Sequence, residues 1–116
     1  MLREMLIGKL HRGAVTECRI DYEGSLTVDQ DLIDAAGMLV HQKIQVLDID
    51  NGARIETYLI PGGRGSRQMQ VNGAAARLFH KGDRVIVCAF GLMDESEARS
   101  VQPKIVLLDA ENRRIG

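Results

Sequence analysis

The fold is indicated most directly by residues 43–60, which read KIQVLDIDNGARIETYLI. Within them, Asn51-Gly52 favours a two-residue β-hairpin turn, because that turn needs positive φ angles that Asn and Gly adopt readily. The flanking segments, 43–50 and 54–60, are therefore predicted to be paired strands. Alternation along the second strand places Arg54, Glu56 and Tyr58 on one face and Ile55, Thr57 and Leu59 on the other.

Short strands separated by glycine turns are also expected in the rest of the chain. One or two strands are predicted over residues 6–22, where Ile7, Lys9 and His11 share a face. Further strands are predicted at residues 69–71, 84–90 and 104–108, and a loop is predicted at 61–66. This pattern predicts a mainly β fold and is typical of a small barrel, which leaves no exposed sheet edge.

The predicted helices are few and short. One covers residues 27–38, with Asp29 as its N-cap and Gly37 just after its end. A helical turn begins within residues 72–76, and residues 94–100 form a loop or a short helix. The expected architecture is therefore a β fold with short helices.

Composition limits the chain to one domain, predicted over residues 1–116. Of these residues 45% are hydrophobic, and 15 basic residues against 16 acidic ones give a net charge of −1. A domain of this length buries only about two-thirds of its unfolded surface, so we expect it to form oligomers. The near-neutral charge and the absence of Trp disfavour nucleic-acid binding, which uses basic surfaces and aromatic stacking.

Neither a membrane segment nor a metal site is predicted. No apolar run approaches the ~20 residues of a membrane span, and Lys9 interrupts the apolar start before a signal peptide could form. We therefore expect a cytoplasmic protein. Cys18 and Cys88 could form one disulfide, although two buried free thiols are favoured. The three histidines lack the spacing of metal ligands.

The sequence contains none of the common catalytic motifs, such as GxSxG, HExxH or a phosphate-binding loop. The dipeptide Gly24-Ser25, within Tyr22-Glu23-Gly24-Ser25, is on its own typical of a turn. Its context changes that interpretation.

Several separated stretches, taken in order, resemble the family of pyruvoyl-dependent aspartate 1-decarboxylases. They are Lys9-Leu10-His11-Arg12, Tyr22-Glu23-Gly24-Ser25, Asp34-Ala35-Ala36-Gly37, Asn51-Gly52 with Arg54, Thr57 and Tyr58, Arg64-Gly65-Ser66, Val71-Asn72-Gly73-Ala74-Ala75-Ala76 and Gly82-Asp83. Each stretch alone is weak, but the ordered set covers nearly the whole chain. It indicates that Gly24-Ser25 is a processing site.

The resemblance implies an inactive precursor that cleaves itself between Gly24 and Ser25 into fragments 1–24 and 25–116. The Ser25 hydroxyl would attack the Gly24 carbonyl while Thr57 donates to the oxyanion. Elimination and hydrolysis would then leave a covalent pyruvoyl group derived from Ser25. Glycine at position 24 suits this step, because it adopts backbone conformations closed to other residues and leaves the carbonyl open.

The resemblance also implies the reaction. The pyruvoyl group would form a Schiff base with L-aspartate and act as an electron sink, giving β-alanine for pantothenate synthesis. Tyr58 would protonate the carbanion. Substrate binding is assigned to Lys9, Arg54, Thr57, Asn72, Gly73, Ala74 and Ala75, and a supporting role to His11, Tyr22 and Ala76.

Each of these residues also has a simpler interpretation. Lys9 and Arg54 could be solvated strand residues, and Tyr58 an ordinary strand aromatic. His11 could be a buried histidine with its hydrogen bonds satisfied, and Asn72 could cap a short helix. The remaining histidines, His41 and His80, are interpreted as structural or surface residues.

The family has a double-psi β-barrel fold and forms homotetramers with active sites between subunits, and the resemblance implies both for this chain. Whether a maturation factor assists cleavage is open. Two other functions compete with this one. The first is a non-enzymatic barrel module, such as a dimeric DNA-binding regulator, which the near-neutral charge disfavours. The second is a family member that folds without cleaving.

Overall fold

Eight strands are present within residues 1–115, the part of the chain that the computed structural model describes; Gly116, the end of the predicted domain, lies outside it. They are β1 (Arg3–Ala14), β2 (Glu17–Arg19), β3 (Ser25–Asp29), β4 (Lys43–Asp48), β5 (Arg54–Gly62), β6 (Met69–Asn72), β7 (Arg84–Met93) and β8 (Lys104–Leu107). The helices are α1 (Gln30–Ala35), α2 (Glu95–Ser100) and a 3₁₀ helix (Gly73–Arg77). The prediction of a mainly β fold with short helices is confirmed.

Hydrogen bonds join these strands in the order β2-β6-β3-β5-β4-β7-β1-β8. The long strand β1 pairs antiparallel with β7 and parallel with β8. Two more parallel pairs, β3 with β5 and β2 with β6, bring together segments that are distant in the sequence. Within the described residues the order ends at β2 and β8, and its closure into a double-psi β-barrel stays a prediction.

The predicted hairpin around Asn51-Gly52 is confirmed, but the two-residue turn is wrong: residues 49–53 connect the strands, and of Asn51 and Gly52 only Gly52 has a positive φ. Gly52 has a φ of 78° and donates its amide to the Asp48 carbonyl at 2.8 Å. Strands β4 and β5 pair antiparallel, with Leu47 opposite Arg54. Strand β5 continues to Gly62, so the first two residues of the predicted 61–66 loop belong to it, because they pair with the end of β3.

The helix predicted over 27–38 is wrong at its start. Residues 27–29 belong to β3, where pairing with both β5 and β6 overrides the local helical pattern. The predicted cap is nevertheless in place, because the Asp29 carboxylate accepts from the Asp31 amide at 2.8 Å. Gly37 has the positive φ, 68°, expected just after the helix.

The core determines which face of each strand is left for a site. In β1, Gly8 and Leu10 are buried, so Lys9 and His11 point to the opposite, outer face. In β5, Leu59 is fully buried and Arg54 is exposed, which places Tyr58 on the outer side of the same strand. Fully buried side chains line the inner side; they include Val28, Ile33, Val46, Met69 and Val87.

Candidate functional site

Ser25 is the first residue of β3 and follows an exposed loop that ends at Gly24. Only 3% of Ser25 is exposed. Its hydroxyl donates to the Glu23 carbonyl oxygen at 2.9 Å and accepts from the Asn72 side-chain amide at 3.1 Å. The hydroxyl that the resemblance assigns as nucleophile is therefore held in one position next to the peptide bond it would attack.

Asn72 lies directly opposite Ser25 in the antiparallel pair of β3 and β6. Its Nδ2 also donates to Thr27 Oγ1 at 2.9 Å, and its Oδ1 accepts from Gln70 Nε2 at 2.7 Å. The side chain makes no capping hydrogen bond to the 3₁₀ helix that follows. Asn72 therefore occupies the N-cap position, as interpreted, but its side chain does not cap the helix, because its amide is directed at Ser25 and Thr27 instead.

Thr27 and Gln70 are site residues that the sequence analysis missed. Both are buried, with 7% and 5% of their surface exposed, and both bond to Asn72. Thr27 follows Ser25 by two positions, and Gln70 precedes Asn72 by two, so each pair shares one face of its strand. Alternating polar residues in two paired strands would have been the signal, but residues 27–29 were predicted as helix, so only the strand at 69–71 was available.

Glycine is needed at position 73 more than at position 24. A Cβ built on Gly24 would meet nothing within 4 Å, and Gly24 is not among the positive-φ residues of the described chain. Gly73 has a φ of 78°, and a Cβ there would lie 2.6 Å from the Gly24 Cα and 2.8 Å from the Gly24 nitrogen. The expectation that Gly24 adopts a backbone conformation closed to other residues is therefore wrong. Contact with Gly73 sets the position of Gly24.

A groove of about 500 Å³ opens beside Gly24. Six predicted site residues line it: Gly24, Thr57, Tyr58, Asn72, Ala74 and Ala75. Ile55, Glu56 and Leu78 complete its walls and were not predicted. The structure therefore brings together, within one chain, the predicted cleavage residues and the predicted proton donor.

Thr57 and Tyr58 reach the groove from β5. The parallel pairing of β3 with β5 begins where Leu26 lies opposite Leu59, which places Thr57 and Tyr58 at the level of the cleavage site. The Tyr58 ring packs edge-on against His41, with 6.3 Å between ring centroids. This contact gives His41 a structural role beside a predicted catalytic residue.

Tyr22 shapes the loop before the cleavage site and does not line the groove. The Arg19 guanidinium lies 4.3 Å from its ring centroid and forms an ion pair with Asp21 at 3.2 Å. Ala76 is a buried residue of the 3₁₀ helix and belongs to the core. Neither residue lines the groove, and the supporting roles of both stay predictions.

The remaining predicted residues lie elsewhere. Lys9, His11 and Arg54, which we call the basic array, occupy the outer face of the sheet formed by β1, β7, β4 and β5. Two rows of paired residues cross these strands: Lys9, Cys88, Gln45 and Glu56, and His11, Ile86, Leu47 and Arg54. None of the three array residues lines the groove described above.

Burial and the positive charges of Lys9, Arg12 and Arg54 shift the pKa values of the neighbouring Cys88 and His11. Burial raises the pKa of Cys88, while the cations of Lys9 and Arg54 act in the opposite direction. Burial, followed by the charges of Lys9 and Arg12, lowers the pKa of His11 and so favours the neutral imidazole. Its Nδ1 is buried and has no hydrogen-bond partner among residues 1–115, so the interpretation of a satisfied histidine is wrong.

A separate pair of carboxylates lies at the base of the hairpin. Asp48 is 2% exposed, and burial beside Asp83 raises its pKa to about 6. The pKa of Asp83 is lowered, chiefly by its hydrogen bond with Asp48. One proton carried by Asp48 and shared with Asp83 accounts for both directions. The prediction that the protein holds no metal stays a prediction.

Two further features concern the chain as a whole. Cys18 and Cys88 are free thiols, each half-buried, so the disulfide alternative does not apply. No helix among the described residues is long and apolar enough to cross a membrane.

Comparison with known proteins adds an independent observation. A sequence model of the family described as aspartate decarboxylase matches residues 1–115. Proteins named aspartate 1-decarboxylase from Bacillus velezensis and Carboxydothermus hydrogenoformans are each 52% identical over 113 residues, which cover 97% of this chain and 89% of the relative. One from Bacillus subtilis is 51% identical over the same lengths.

Proposed function

Since this chain belongs to the aspartate decarboxylase family, we propose that it makes its own pyruvoyl group by cleavage between Gly24 and Ser25 and uses it on L-aspartate. The overall activity is that of a carboxy-lyase, which converts L-aspartate to β-alanine and CO₂ for pantothenate synthesis. It rests on relatives of that name that match 97% of the chain. The cleavage rests on the placement of Ser25.

The local geometry around Ser25 fits the cleavage. The Ser25 Oγ forms an ester with the Gly24 carbonyl carbon, and the bond from that carbon to the Ser25 nitrogen breaks. Elimination releases the Gly24 carboxylate and leaves a dehydroalanine, and addition of water releases ammonia. Thr57, beside Gly24 in the groove, is the proposed donor to the oxyanion of the first step. A pre-oriented hydroxyl favours attack on its own backbone over attack by water.

When present, the pyruvoyl group supplies an electron sink, which takes up the bonding electrons that remain when the α-carboxylate leaves as CO₂. The groove beside Gly24 is the space for substrate, and its largely apolar walls would exclude water. Tyr58 would hold the proton that the product receives at its α-carbon, with His41 packed against its ring to keep it in place. Asn72 and the Gly73–Ala75 backbone would donate hydrogen bonds to substrate.

Charge recognition of the substrate is assigned to a second copy of the chain. L-Aspartate carries two carboxylates, yet Lys9 and Arg54 do not line the groove of their own chain. Arginine offers a two-pronged contact to a carboxylate, and lysine a compact charge. We therefore assign the basic array to the groove of a neighbouring subunit in a homotetramer, which would also cover exposed apolar residues such as Tyr22 and Phe90.

Intact-mass measurement and β-alanine assay of one purified sample test this function. We expect the chain to convert on warming into fragments 1–24 and 25–116, with the larger fragment lighter by one ammonia than a serine-started one. β-Alanine formation should rise in step with that conversion. A chain that stays whole after prolonged warming, with cell extract added as a source of any maturation factor, would contradict it. Location in the cytoplasm stays a prediction.

A further inference from the structure

A line of amide side chains, half-buried at Gln68 and buried at Gln70 and Asn72, runs into β6 toward the cleavage site. Gln68 Nε2 donates to Gln70 Oε1 at 3.1 Å, and Gln70 Nε2 donates to Asn72 Oδ1 at 2.7 Å. Asn72 Nδ2 then donates to Ser25 Oγ and Thr27 Oγ1. Every hydrogen bond in this line points the same way, from the loop before β6 toward Ser25.

The chemistry of Ser25 sets the required direction at Asn72. The hydroxyl hydrogen of Ser25 is committed to the Glu23 carbonyl, so Ser25 Oγ has only lone pairs to offer Asn72. Asn72 must therefore present its NH₂ and not its oxygen. An amide side chain is nearly symmetric in shape, so packing alone does not choose between the two orientations.

Gln70 is the residue that makes this choice. Its Nε2 is the donor facing Asn72 Oδ1, so rotation of the Asn72 amide by half a turn would set two NH₂ groups against each other. Gln70 is 5% exposed and Asn72 0%, so water does not replace the lost hydrogen bond. Gln68 keeps Gln70 in the same orientation by donating to its oxygen.

We propose that Gln70 is a positioning residue for self-cleavage: it orients the Asn72 amide so that its NH₂ donates to the Ser25 hydroxyl and holds the oxygen that would attack Gly24. The inference rests on the proposed cleavage at Gly24-Ser25. It adds that the rate of cleavage depends on the hydrogen-bond polarity of a side chain that contacts neither reacting residue.

Two variants of nearly equal size separate polarity from packing. Gln70→Met fills the space without a donor, so the Asn72 amide can adopt both orientations. Gln70→Glu offers only acceptors when ionised, so it draws the Asn72 NH₂ away from Ser25. We expect about ten-fold slower cleavage for Gln70→Met, the effect of one buried hydrogen bond, and slower cleavage still for Gln70→Glu.

Cleavage is measured as the rise of the two fragments by intact mass, alongside thermal unfolding of each variant. Gln102→Glu, the same substitution at an exposed position, is the matched control and should cleave at the unsubstituted rate. Equal rates in the unsubstituted chain, Gln70→Met and Gln70→Glu would overturn the role of Gln70 while leaving the proposed cleavage intact. An unsubstituted chain that does not cleave would instead overturn the proposed function.

A spectroscopic readout distinguishes orientation from general damage to the fold. In the uncleaved Ser25→Ala precursor, the Asn72 NH₂ protons should show nuclear Overhauser contacts to the Thr27 side chain, since Nδ2 lies 2.9 Å from Thr27 Oγ1. Adding Gln70→Glu should move these contacts to the side chain at position 70. Contacts to Thr27 that persist unchanged would show that Gln70 does not orient the amide.

Discussion

The groove and the basic array differ in how far one chain completes them. Around the groove, Ser25, Thr27, Gln70 and Asn72 are all at least nine-tenths buried and all hydrogen-bonded within the chain. In the array, Lys9 and Arg54 form no hydrogen bond or ion pair with any side chain of residues 1–115. Under the proposed function, self-cleavage is intramolecular and needs fixed geometry in advance, whereas the charge of the substrate would be met only after assembly. We therefore infer that one chain carries two half-sites with separate tasks, the groove for cleavage and the basic array for the charge of the substrate.

The largest expected effect is the complete loss of self-cleavage when Ser25, in the groove region, is substituted and the basic array is left unchanged. Ser25→Ala removes the hydroxyl that attacks Gly24, so we expect an uncut, inactive chain that still folds and assembles. The alanine loses the hydrogen bonds to Glu23 and Asn72 but leaves the core unchanged. Intact mass, circular dichroism and sedimentation measure the three properties. Cleavage at the same bond in this variant would refute Ser25 as the nucleophile.

The basic array is tested by a variant that keeps self-cleavage and loses turnover of L-aspartate. Arg54→Ala should cleave at the normal rate but lose about 100-fold in kcat/KM for L-aspartate, the effect of one charge-assisted carboxylate contact. Fragment formation and β-alanine production are measured on the same preparation. Gln102→Glu again provides a surface control. An unchanged kcat/KM would remove Arg54 from the substrate site.

The contact of Gly73 with Gly24 sharpens the account of the groove. Gly73→Ala introduces a Cβ that would collide with the Gly24 backbone, so we expect cleavage to slow by about ten-fold or more. Gly52→Ala is the matched control, since Gly52 has the same φ of 78° but open space around its Cβ. Both variants should lose about 1 kcal/mol of stability from backbone strain. If both slowed cleavage equally, the collision would not be the cause.

The smallest effect lies outside both regions, in the Asp48–Asp83 pair. The pKa of Asp48 is raised to about 6, so the folded state binds this proton more tightly than the unfolded state. Its contribution to stability is full at low pH and is lost as the pH rises from about 4 through about 6. In Asp48→Asn, the side-chain NH₂ does not titrate, so it can donate a hydrogen bond to Asp83 at all pH values.

We therefore expect Asp48→Asn to raise the free energy of unfolding by roughly 1–2 kcal/mol at pH 8 and by much less at pH 4. Denaturant unfolding across this range measures it. Cleavage and turnover at equal protein concentration should stay unchanged, since the pair contacts neither half-site. A variant less stable than the parent at pH 8 would contradict the shared proton.

Local features of this fold could be predicted from the sequence, and long-range ones could not. The Asn51-Gly52 hairpin follows from two adjacent residues, and the Asp29 cap from one side chain. The predicted start of helix α1 was wrong because residues 27–29 pair with strands β5 and β6, which are far away in the sequence. Local periodicity does not contain that pairing.

The same dependence on long-range strand pairing explains which site residues could be predicted and which could not. The resemblance named Gly24, Thr57, Tyr58 and Asn72 as site residues, and all four line one groove; their roles stay predictions. Gln70 was missed because its role depends on the register that puts Ser25 opposite Asn72. The need for glycine was assigned to residue 24, yet the close approach comes from Gly73, and a close approach between backbones is visible only in three dimensions.

Co-expression of Ser25→Ala and Arg54→Ala chains tests directly whether the groove of one copy works with the basic array of another. Each variant alone should be nearly inactive. In mixed assemblies, a site that pairs the pyruvoyl group of one chain with Arg54 of the other should be intact, so we expect about a quarter of the unsubstituted turnover from random mixing. Mixed assemblies that form, as shown by mass spectrometry, yet recover no β-alanine formation would contradict a site shared between copies.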